Sequence, residues 1–324
     1  MQKDNDKNKT KQNKKLIFIL LSLAIILIVA NGWFSYFYIK NRDVDDVDSA
    51  VSENNKYNLL NPARKLVEQE DLIINFQPLR DYLNDKYEAD PNISIYFEYL
   101  PTGASIAINK DAEFYPASLL KVPVAMAVAR KVERGDWKWT NELVLMSTDK
   151  DNKFGTLYKE PSNSTFTIEE LVRRSLTDSD NTAHFILVRN LEMDEMKDVY
   201  DHMGLVGFLE TEGSLSAKKY SVMVRALYSA SYTTEENSQK LLSYLTQSPF
   251  SSYSQSGLPK GVSFAHKIGV DIDRKVFLDS GIVYEKNRPY ILTIMTKNKG
   301  EQIATKMMAD ISEKVYNYVK EYEE

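Results

Sequence analysis

A serine and a lysine three residues apart form a candidate nucleophile and base. Residues 114–129 read FYPASLLKVPVAMAVA and contain Ser118 and Lys121. On a helix, residues at i and i+3 share a face, with Cβ atoms about 5 to 6 Å apart. Burial lowers the pKa of a lysine, and a neutral amine would then accept the serine proton. This pair predicts acyl transfer through a covalent serine intermediate.

The same spacing occurs at Ser147 and Ser216, so spacing alone does not identify the nucleophile. Ser118 directly precedes an apolar run that has Pro123 near its start, which predicts that Ser118 lies at a helix N-terminus. The free N–H groups and the positive end of a helix favour negative charge there, including that of an oxyanion. We therefore select Ser118 and its partner Lys121.

Two further polar segments could complete a site. Ser179-Asp180-Asn181 lies between two predicted helices, where such residues also serve simply as helix caps. Lys267 and Gly269 lie in a predicted strand, on the face opposite Ile268. We expect Gly269 to let a substrate backbone approach the strand and Lys267 to bind a carboxylate, although a solvated edge strand would have the same pattern.

Taken together, S-x-x-K, S-D-N and K-x-G in this order resemble the signature set of class A β-lactamases and penicillin-binding proteins. The resemblance extends over roughly residues 63–324. It implies an α+β fold of the β-lactamase/transpeptidase type. Such a fold has a five-stranded antiparallel sheet flanked by helices, beside an all-helical subdomain.

The resemblance also implies a role for each motif residue. These roles are Ser118 as acylated nucleophile, Lys121 as base, Ser179 as proton relay to the leaving nitrogen, Asp180 as holder of the loop, Asn181 as ligand of the substrate amide, Lys267 with Gly269 and Val270 as the substrate-binding strand, and the backbone N–H groups of Ser118 and Val270 as oxyanion hole. The substrate would be a β-lactam or a peptidoglycan stem peptide, and no metal or cofactor is expected.

Two departures from this pattern leave the reaction open. Class A enzymes have an omega loop whose glutamate activates the deacylating water. Residues 205–215 read LVGFLETEGSL without E-x-x-L-N, so Glu210 and Glu212 are candidates for that role or merely exposed loop charges. Ile268 replaces the threonine of K-T-G. The alternatives are a β-lactamase with an acyl-Ser118 intermediate, a D,D-peptidase acting on D-Ala-D-Ala ends, and a non-catalytic module that binds the cell wall.

The elements that must position these residues follow from hydrophobic periodicity. We predict a helix over 63–87, mostly helical structure from about 118 to 245 and a closing helix over 301–320. A capping box is predicted at Thr167 to Glu170. The predicted strands are 92–100, 104–110, 263–270, 275–284 and 290–297.

The N-terminal part predicts a membrane anchor. The apolar run over 16–39 provides about 23 residues, or ~35 Å of helix. Six lysines precede it and four aspartates follow closely, so the positive-inside rule puts the N-terminus in the cytoplasm. No small-residue cleavage site follows Ala30, which favours an uncleaved anchor over a signal peptide. We predict a cytoplasmic tail (1–15), an anchor (16–39), a linker (40–62) and an extracytoplasmic domain (63–324) on the cell membrane.

Composition excludes several other functions. The chain has no cysteine, which excludes disulfides and thiolate metal sites, and its net charge of -5 argues against nucleic acid as a partner. His184, His202 and His266 lack the spacing of a helical metal motif, and we interpret them as scattered surface or core residues. Phe154 and Tyr158 could form an aromatic wall of a cleft, but ordinary packing is favoured.

Overall fold

A computed structural model describes residues 57–61, 71–73, 75–210 and 213–322. Asn58–Glu324 form one compact unit. Within the described residues, no helix combines the length and the apolar character needed to cross a bilayer. The predicted tail and anchor, and most of the linker, lie outside the described residues. The domain boundaries therefore stay predictions.

The main sheet contains five antiparallel strands, as predicted, and each strand ends within two residues of its predicted bounds. The strands are β1 (Ile93–Tyr99), β2 (Ala104–Ile108), β5 (Ser263–Asp271), β6 (Val276–Tyr284) and β7 (Tyr290–Thr296). Their order across the sheet is β2-β1-β7-β6-β5, so the strand that carries the K-x-G motif is an edge strand. The register of β5 with β6 pairs Lys267 with Ser280 and Gly269 with Leu278.

The described residues also contain eight α-helices. They are α1 (Gln77–Tyr87), α2 (Lys121–Glu133), α3 (Ile168–Thr177), α4 (Asn181–Arg189), α5 (Met193–His202), α6 (Ala217–Tyr228), α7 (Glu235–Leu245) and α8 (Glu301–Lys320). The prediction of one helix over 63–87 is wrong in part: residues 72, 73, 75 and 76 are described and not helical, and the helix begins at Gln77. Residues 62–70 and 74 lie outside the described residues.

A second, two-stranded sheet lies within the region predicted to be helical. Here β3 (Glu142–Val144) pairs in antiparallel fashion with β4 (Thr165–Thr167). Strands of three residues are too short to show a period of two, so hydrophobic periodicity does not reveal them. Directly after β4, the Thr167 Oγ1 atom accepts a hydrogen bond from the Glu170 backbone at 3.2 Å and caps α3. The Glu170 carboxylate accepts from Arg174 instead of closing the predicted capping box.

Both faces of the main sheet are covered. On one face, alternate strand residues, Phe97 and Ile268 among them, form an apolar core with Leu83 of α1 and Met308 of α8. On the other face, α6 packs against β1 and β7, and its Arg225 forms an ion pair with Glu98. Ile268 is therefore a core residue on the face away from Lys267, as strand alternation predicted.

Candidate active site

Ser118 lies in a 3-10 turn, Ala117–Leu120, that runs directly into α2. Lys121 is the first residue of α2, so the prediction of a helix start at Ser118 is confirmed to within one turn. Ala117 has a φ of 46°, in the left-handed region that non-glycine residues seldom adopt. Such backbone strain is concentrated at functional sites because the surrounding fold must enforce it.

A chain of hydrogen bonds joins the first two motifs. The Lys121 Nζ atom donates to the Ser118 Oγ atom at 2.7 Å and to the Asn181 Oδ1 atom at 2.6 Å. The Asn181 Nδ2 atom in turn donates to Asp151 at 2.9 Å. Burial lowers the pKa of Lys121 to about 8, against the opposing effect of the negative charges on Asp180 and Asp151. Lys121 is thus positioned to accept the proton of Ser118, and part of its population is neutral near physiological pH.

The other two S-x-x-K matches have ordinary structural roles. Ser216 is the N-cap of α6, and its Oγ atom accepts from the backbone of Lys219 at 3.3 Å. The Lys219 amine points elsewhere, to Glu113 at 2.8 Å. Ser147 starts a short 3-10 turn, and the Lys150 amine donates to a backbone carbonyl across the neighbouring loop at 2.6 Å. Neither lysine amine donates a hydrogen bond to the serine three residues before it.

Asp180 organises the S-D-N segment, as the resemblance implied. Its Oδ1 atom accepts from the backbone of Ala183 at 2.9 Å and caps α4. Its Oδ2 atom accepts from the backbone of Thr156 at 2.7 Å and of Leu157 at 2.9 Å, which ties a neighbouring loop to the same carboxylate. Asn181 is consequently held as the first residue of α4, with its amide on Lys121. The capping role and the loop-holding role are therefore combined in one side chain.

A cleft of about 710 Å³ opens in front of Ser118. Of the predicted site residues, Ser118, Lys121, Asn181 and Val270 line it. Phe154 also lines the cleft, whereas Tyr158 is not among the lining residues. The remaining lining residues are Tyr115, Ala117, Leu120, Asp151, Lys153, His184, Phe185, Asp271, Ile272 and Asp273.

Ser179 and Lys267 lie behind the wall of this cleft. Ser179 is 1% exposed, and its Oγ atom has no hydrogen-bond partner in the part of the chain that the structure describes. Lys267 is 2% exposed; its Nζ atom makes one long hydrogen bond of 3.4 Å to the Ile268 carbonyl and lies 5.7 Å from the centre of the Phe250 ring. Burial, assisted by the nearby Lys121 ammonium, lowers the pKa of Lys267 well below its ordinary value. Lys267 does not line the cleft, because the turn that carries Ser118 packs over β5, and its role as a carboxylate ligand stays a prediction.

Gly269 is needed for a different reason from the one predicted. A Cβ atom at this position would lie 2.7 Å from the Pro116 carbonyl oxygen and 3.1 Å from the Leu119 Cγ atom. Contacts this short with backbone cannot be accommodated without a shift of the nucleophile turn. The space beside Gly269 is therefore filled by the protein's own chain and is not open to a substrate backbone.

The sequence analysis missed His184 as a residue of the cleft. This residue follows Asn181 by one turn of α4, is half-buried and contributes to the cleft lining. Its interpretation as a scattered histidine is wrong, because the spacing that matters relates it to Asn181 and not to another histidine. The other two fit that interpretation: His266 is buried with its Nδ1 atom 2.8 Å from Asp279, and His202 is exposed at the end of α5.

The shortened loop after α5 places no glutamate in the cleft from the residues that are described. The Glu210 side chain is 74% exposed and lies 3.9 Å from the Lys197 amine, on the surface. Glu210 is therefore a surface charge. Glu212 lies outside the described residues.

The antiparallel sheet, the helical region beside it and the Ser118–Lys121 pair define a serine hydrolase with β-lactamase-like architecture. Residues 77–319 match the model of the beta-lactamase enzyme family, and the chain belongs to that family. Among solved structures, PBP-A superposes with a TM-score of 0.69 at 22% identity, covering 76% of this chain and 97% of PBP-A. A β-lactamase from Sphaerobacter thermophilus gives a TM-score of 0.69 at 21% identity, covering 78% of this chain and all (100%) of the other.

A curated relative matches over a shorter stretch. The β-lactamase VEB-1 of Pseudomonas aeruginosa is 29% identical over 87 residues, which is 26% of this chain and 29% of VEB-1. The chain thus aligns with less than a third of VEB-1. The fold and the family follow from these similarities, whereas the substrate does not.

Proposed function

We propose that this chain cleaves the amide of β-lactams through an acyl-Ser118 intermediate, as a class A-like enzyme. The observation that carries the proposal is the 2.7 Å hydrogen bond between the Lys121 amine and the Ser118 hydroxyl, in a site that lowers the pKa of that amine to about 8. Neutral Lys121 takes the hydroxyl proton while Oγ attacks the lactam carbonyl carbon. The lactam C–N bond breaks, the leaving nitrogen takes a proton, and water then releases the acyl group.

The remaining motif residues serve this reaction in the proposal. The backbone N–H groups of Ser118 and Val270, two residues that line the cleft, stabilise the oxyanion. Ser179 and Lys267 lie behind the cleft wall, so their proposed roles, proton relay to nitrogen and attraction of the substrate carboxylate, require the wall to open when the substrate binds. The Ser179 Oγ atom and the Lys267 amine are buried without strong partners in the described chain. Buried polar groups in that condition are costly, and a ligand that supplies the missing hydrogen bonds offsets the cost.

A D,D-peptidase acting on D-Ala-D-Ala ends of peptidoglycan is the second candidate. The residues described around the cleft include no glutamate, and the Oδ1 atom of Asp151, an aspartate of the lining, already accepts from Asn181 at 2.9 Å. A cleft without a glutamate to activate water would release an acyl group slowly, as expected of a penicillin-binding peptidase. A PBP-A variant, similar to this chain at 22% identity, was solved as its acyl-enzyme complex with penicillin G.

Intact mass spectrometry of the full-length chain with benzylpenicillin tests both candidates. We expect a single adduct that is lost in Ser118→Ala and retained in the matched control Ser147→Ala. For a β-lactamase the adduct decays and nitrocefin is hydrolysed in the steady state. For a peptidase the adduct persists, and D-alanine is released from a peptide ending in D-Ala-D-Ala. Absence of any adduct would refute the acyl-enzyme proposal and favour the non-catalytic module.

We also propose that residues 16–39 anchor the protein in the cell membrane with residues 63–324 outside the cytoplasm. The support is the apolar run and the six lysines before it. Protease added to intact cells should remove the domain, and the N-terminal fragment should resist extraction with alkaline carbonate. A chain that is protected in intact cells, or extracted by carbonate, would contradict this topology.

A further inference from the structure

His184 offers one ring nitrogen to the cleft that the proposed acylation step does not use. His184 lines the cleft and its Nδ1 atom is buried without a hydrogen-bond partner within the described chain, so Nε2 is the nitrogen left to face the cleft. Native proteins satisfy nearly all buried polar atoms, so an exception calls for an explanation such as a catalytic role or a bound water.

The position of His184 relates it directly to the nucleophile. His184 and Asn181 are three residues apart on α4, so their Cβ atoms lie about 5 to 6 Å apart on one face. The Asn181 amide contacts the Lys121 amine at 2.6 Å, and that amine contacts the Ser118 hydroxyl at 2.7 Å. The imidazole therefore borders the volume that an acyl group on Ser118 and an attacking water would share.

The carboxylates of the cleft are less suited to hold that water. Asp151 accepts from Asn181 and from a backbone N–H of its own loop, each at 2.9 Å. Asp271 is paired with Arg274 at 3.5 Å, and Asp273 lies on the exposed turn between β5 and β6. His184, by contrast, is a polar residue of the cleft lining with no hydrogen-bond partner among the described residues.

The charge state of His184 decides which role it can take. Burial, reinforced by the ammonium groups of Lys121 and Lys267, lowers the pKa of His184 to about 3. Part of the ring faces the cleft, but protein surrounds the remainder and excludes water from it. The imidazole is neutral at physiological pH and accepts a hydrogen bond, whereas full protonation beside two ammonium groups is unfavourable. It is suited to orient a water and not to carry away its proton.

We propose that His184 positions the water that hydrolyses the acyl-Ser118 intermediate, in a chain whose loop lacks the E-x-x-L-N motif; this rests on the proposed function. The Nε2 atom accepts a hydrogen bond from the water, with the ring proton on the buried Nδ1 atom. The water oxygen forms a bond to the acyl carbon while its second proton passes to the neutral Lys121 amine. The bond between the acyl carbon and Oγ then breaks, and Oγ recovers a proton from the Lys121 ammonium. The products are a free carboxylic acid and the original serine.

Separate measurement of acylation and deacylation tests this inference on the full-length chain. The probe is a fluorescent penicillin, with rates of adduct formation and decay followed by gel and by intact mass. In His184→Ala we expect adduct formation within about threefold of the unsubstituted chain and decay slowed by about 10- to 100-fold, the usual effect of misplacing a reactant by about 1 Å. Added imidazole should restore part of the decay rate, which a purely structural defect would not allow. The matched control His202→Ala should leave both rates unchanged.

His184→Gln provides a second variant, because it keeps a hydrogen-bonding side chain of similar reach should the alanine variant fold poorly. Faster decay in His184→Gln than in His184→Ala supports the positioning role. Equal adduct lifetimes in the unsubstituted chain and in both variants would overturn this inference while leaving acylation of Ser118 intact. Absence of any adduct on the unsubstituted chain would overturn the proposed function as well.

Discussion

Acylation of Ser118 should follow the deprotonation of Lys121, with a midpoint near pH 8. An ordinary lysine has a pKa of 10.5, and burial lowers the pKa of Lys121 to about 8. At pH 7 the neutral fraction therefore rises from about 0.03% to about 10%, a gain of roughly 300-fold in active base. The acylation rate should increase about tenfold for each pH unit below the midpoint and level off above it.

Removing one negative charge near Lys121 should move this profile. The Asp151 carboxylate raises the pKa of Lys121, so Asp151→Asn should lower the midpoint and speed acylation on its acidic side. In the native chain the Asn181 amide donates a hydrogen bond to Asp151 at 2.9 Å. An asparagine at position 151 keeps an oxygen that can accept this hydrogen bond. Asp273→Asn, an exposed change on the rim of the same cleft, is the matched control and should leave the midpoint in place.

The assay is rapid-quench measurement of fluorescent penicillin bound to the full-length chain, between about pH 5.5 and 9.5. Lys121→Met should reduce the rate by about 10²- to 10⁴-fold at every pH, which is the usual contribution of general base catalysis. A flat profile, a midpoint near the ordinary lysine value of 10.5, or an upward movement in Asp151→Asn would refute the reasoning.

Three further predictions concern the groups behind the cleft. Lys267→Met should raise the free energy of unfolding at pH 7 by roughly 1 to 4 kcal/mol, since it removes a buried amine whose Nζ atom has one long hydrogen bond of 3.4 Å and otherwise faces the Phe250 ring. Burial lowers the pKa of Lys267 in the folded protein, so at pH values between that lowered pKa and 10.5 the unfolded chain binds more protons than the folded one. The free energy of unfolding should therefore rise with pH in this range, and it should rise less in Lys267→Met. Asp180→Ala should lower stability in urea titration by about 3 kcal/mol, because three backbone N–H groups lose a charged acceptor; a loss under about 1 kcal/mol would contradict its organising role. Gly269→Ala should slow acylation and cost about 1 to 3 kcal/mol, because its Cβ atom would lie 2.7 Å from the Pro116 carbonyl. Gly300→Ala, with open space around its Cβ atom, is the control and should acylate normally.

Local sequence signals were sufficient for the framework of this protein. The five main strands and the helices that flank them follow from periodicity, because burial of one or both faces leaves a pattern within a few consecutive residues. The residue type of Asp180 at a helix N-terminus indicated a cap, whereas its role as holder of the loop was implied only by the family resemblance. The helix start near Ser118 could also be predicted from the sequence, because an apolar run follows the serine directly. The strands β3 and β4 were missed, since three residues are too few for a period to emerge.

Contacts between distant segments decided the rest. Three serines had a lysine at the right spacing, and the fold alone brings the amine of Lys121, and not that of Lys150 or Lys219, to its serine. The sequence indicated that Gly269 mattered, but its reason lies in a turn about 150 residues away in the chain. Burial of Lys267 and the entry of His184 into the cleft also depend on packing between elements. Residue types and spacing establish which chemistry is available, whereas burial, pKa and orientation depend on neighbours that only the tertiary structure supplies.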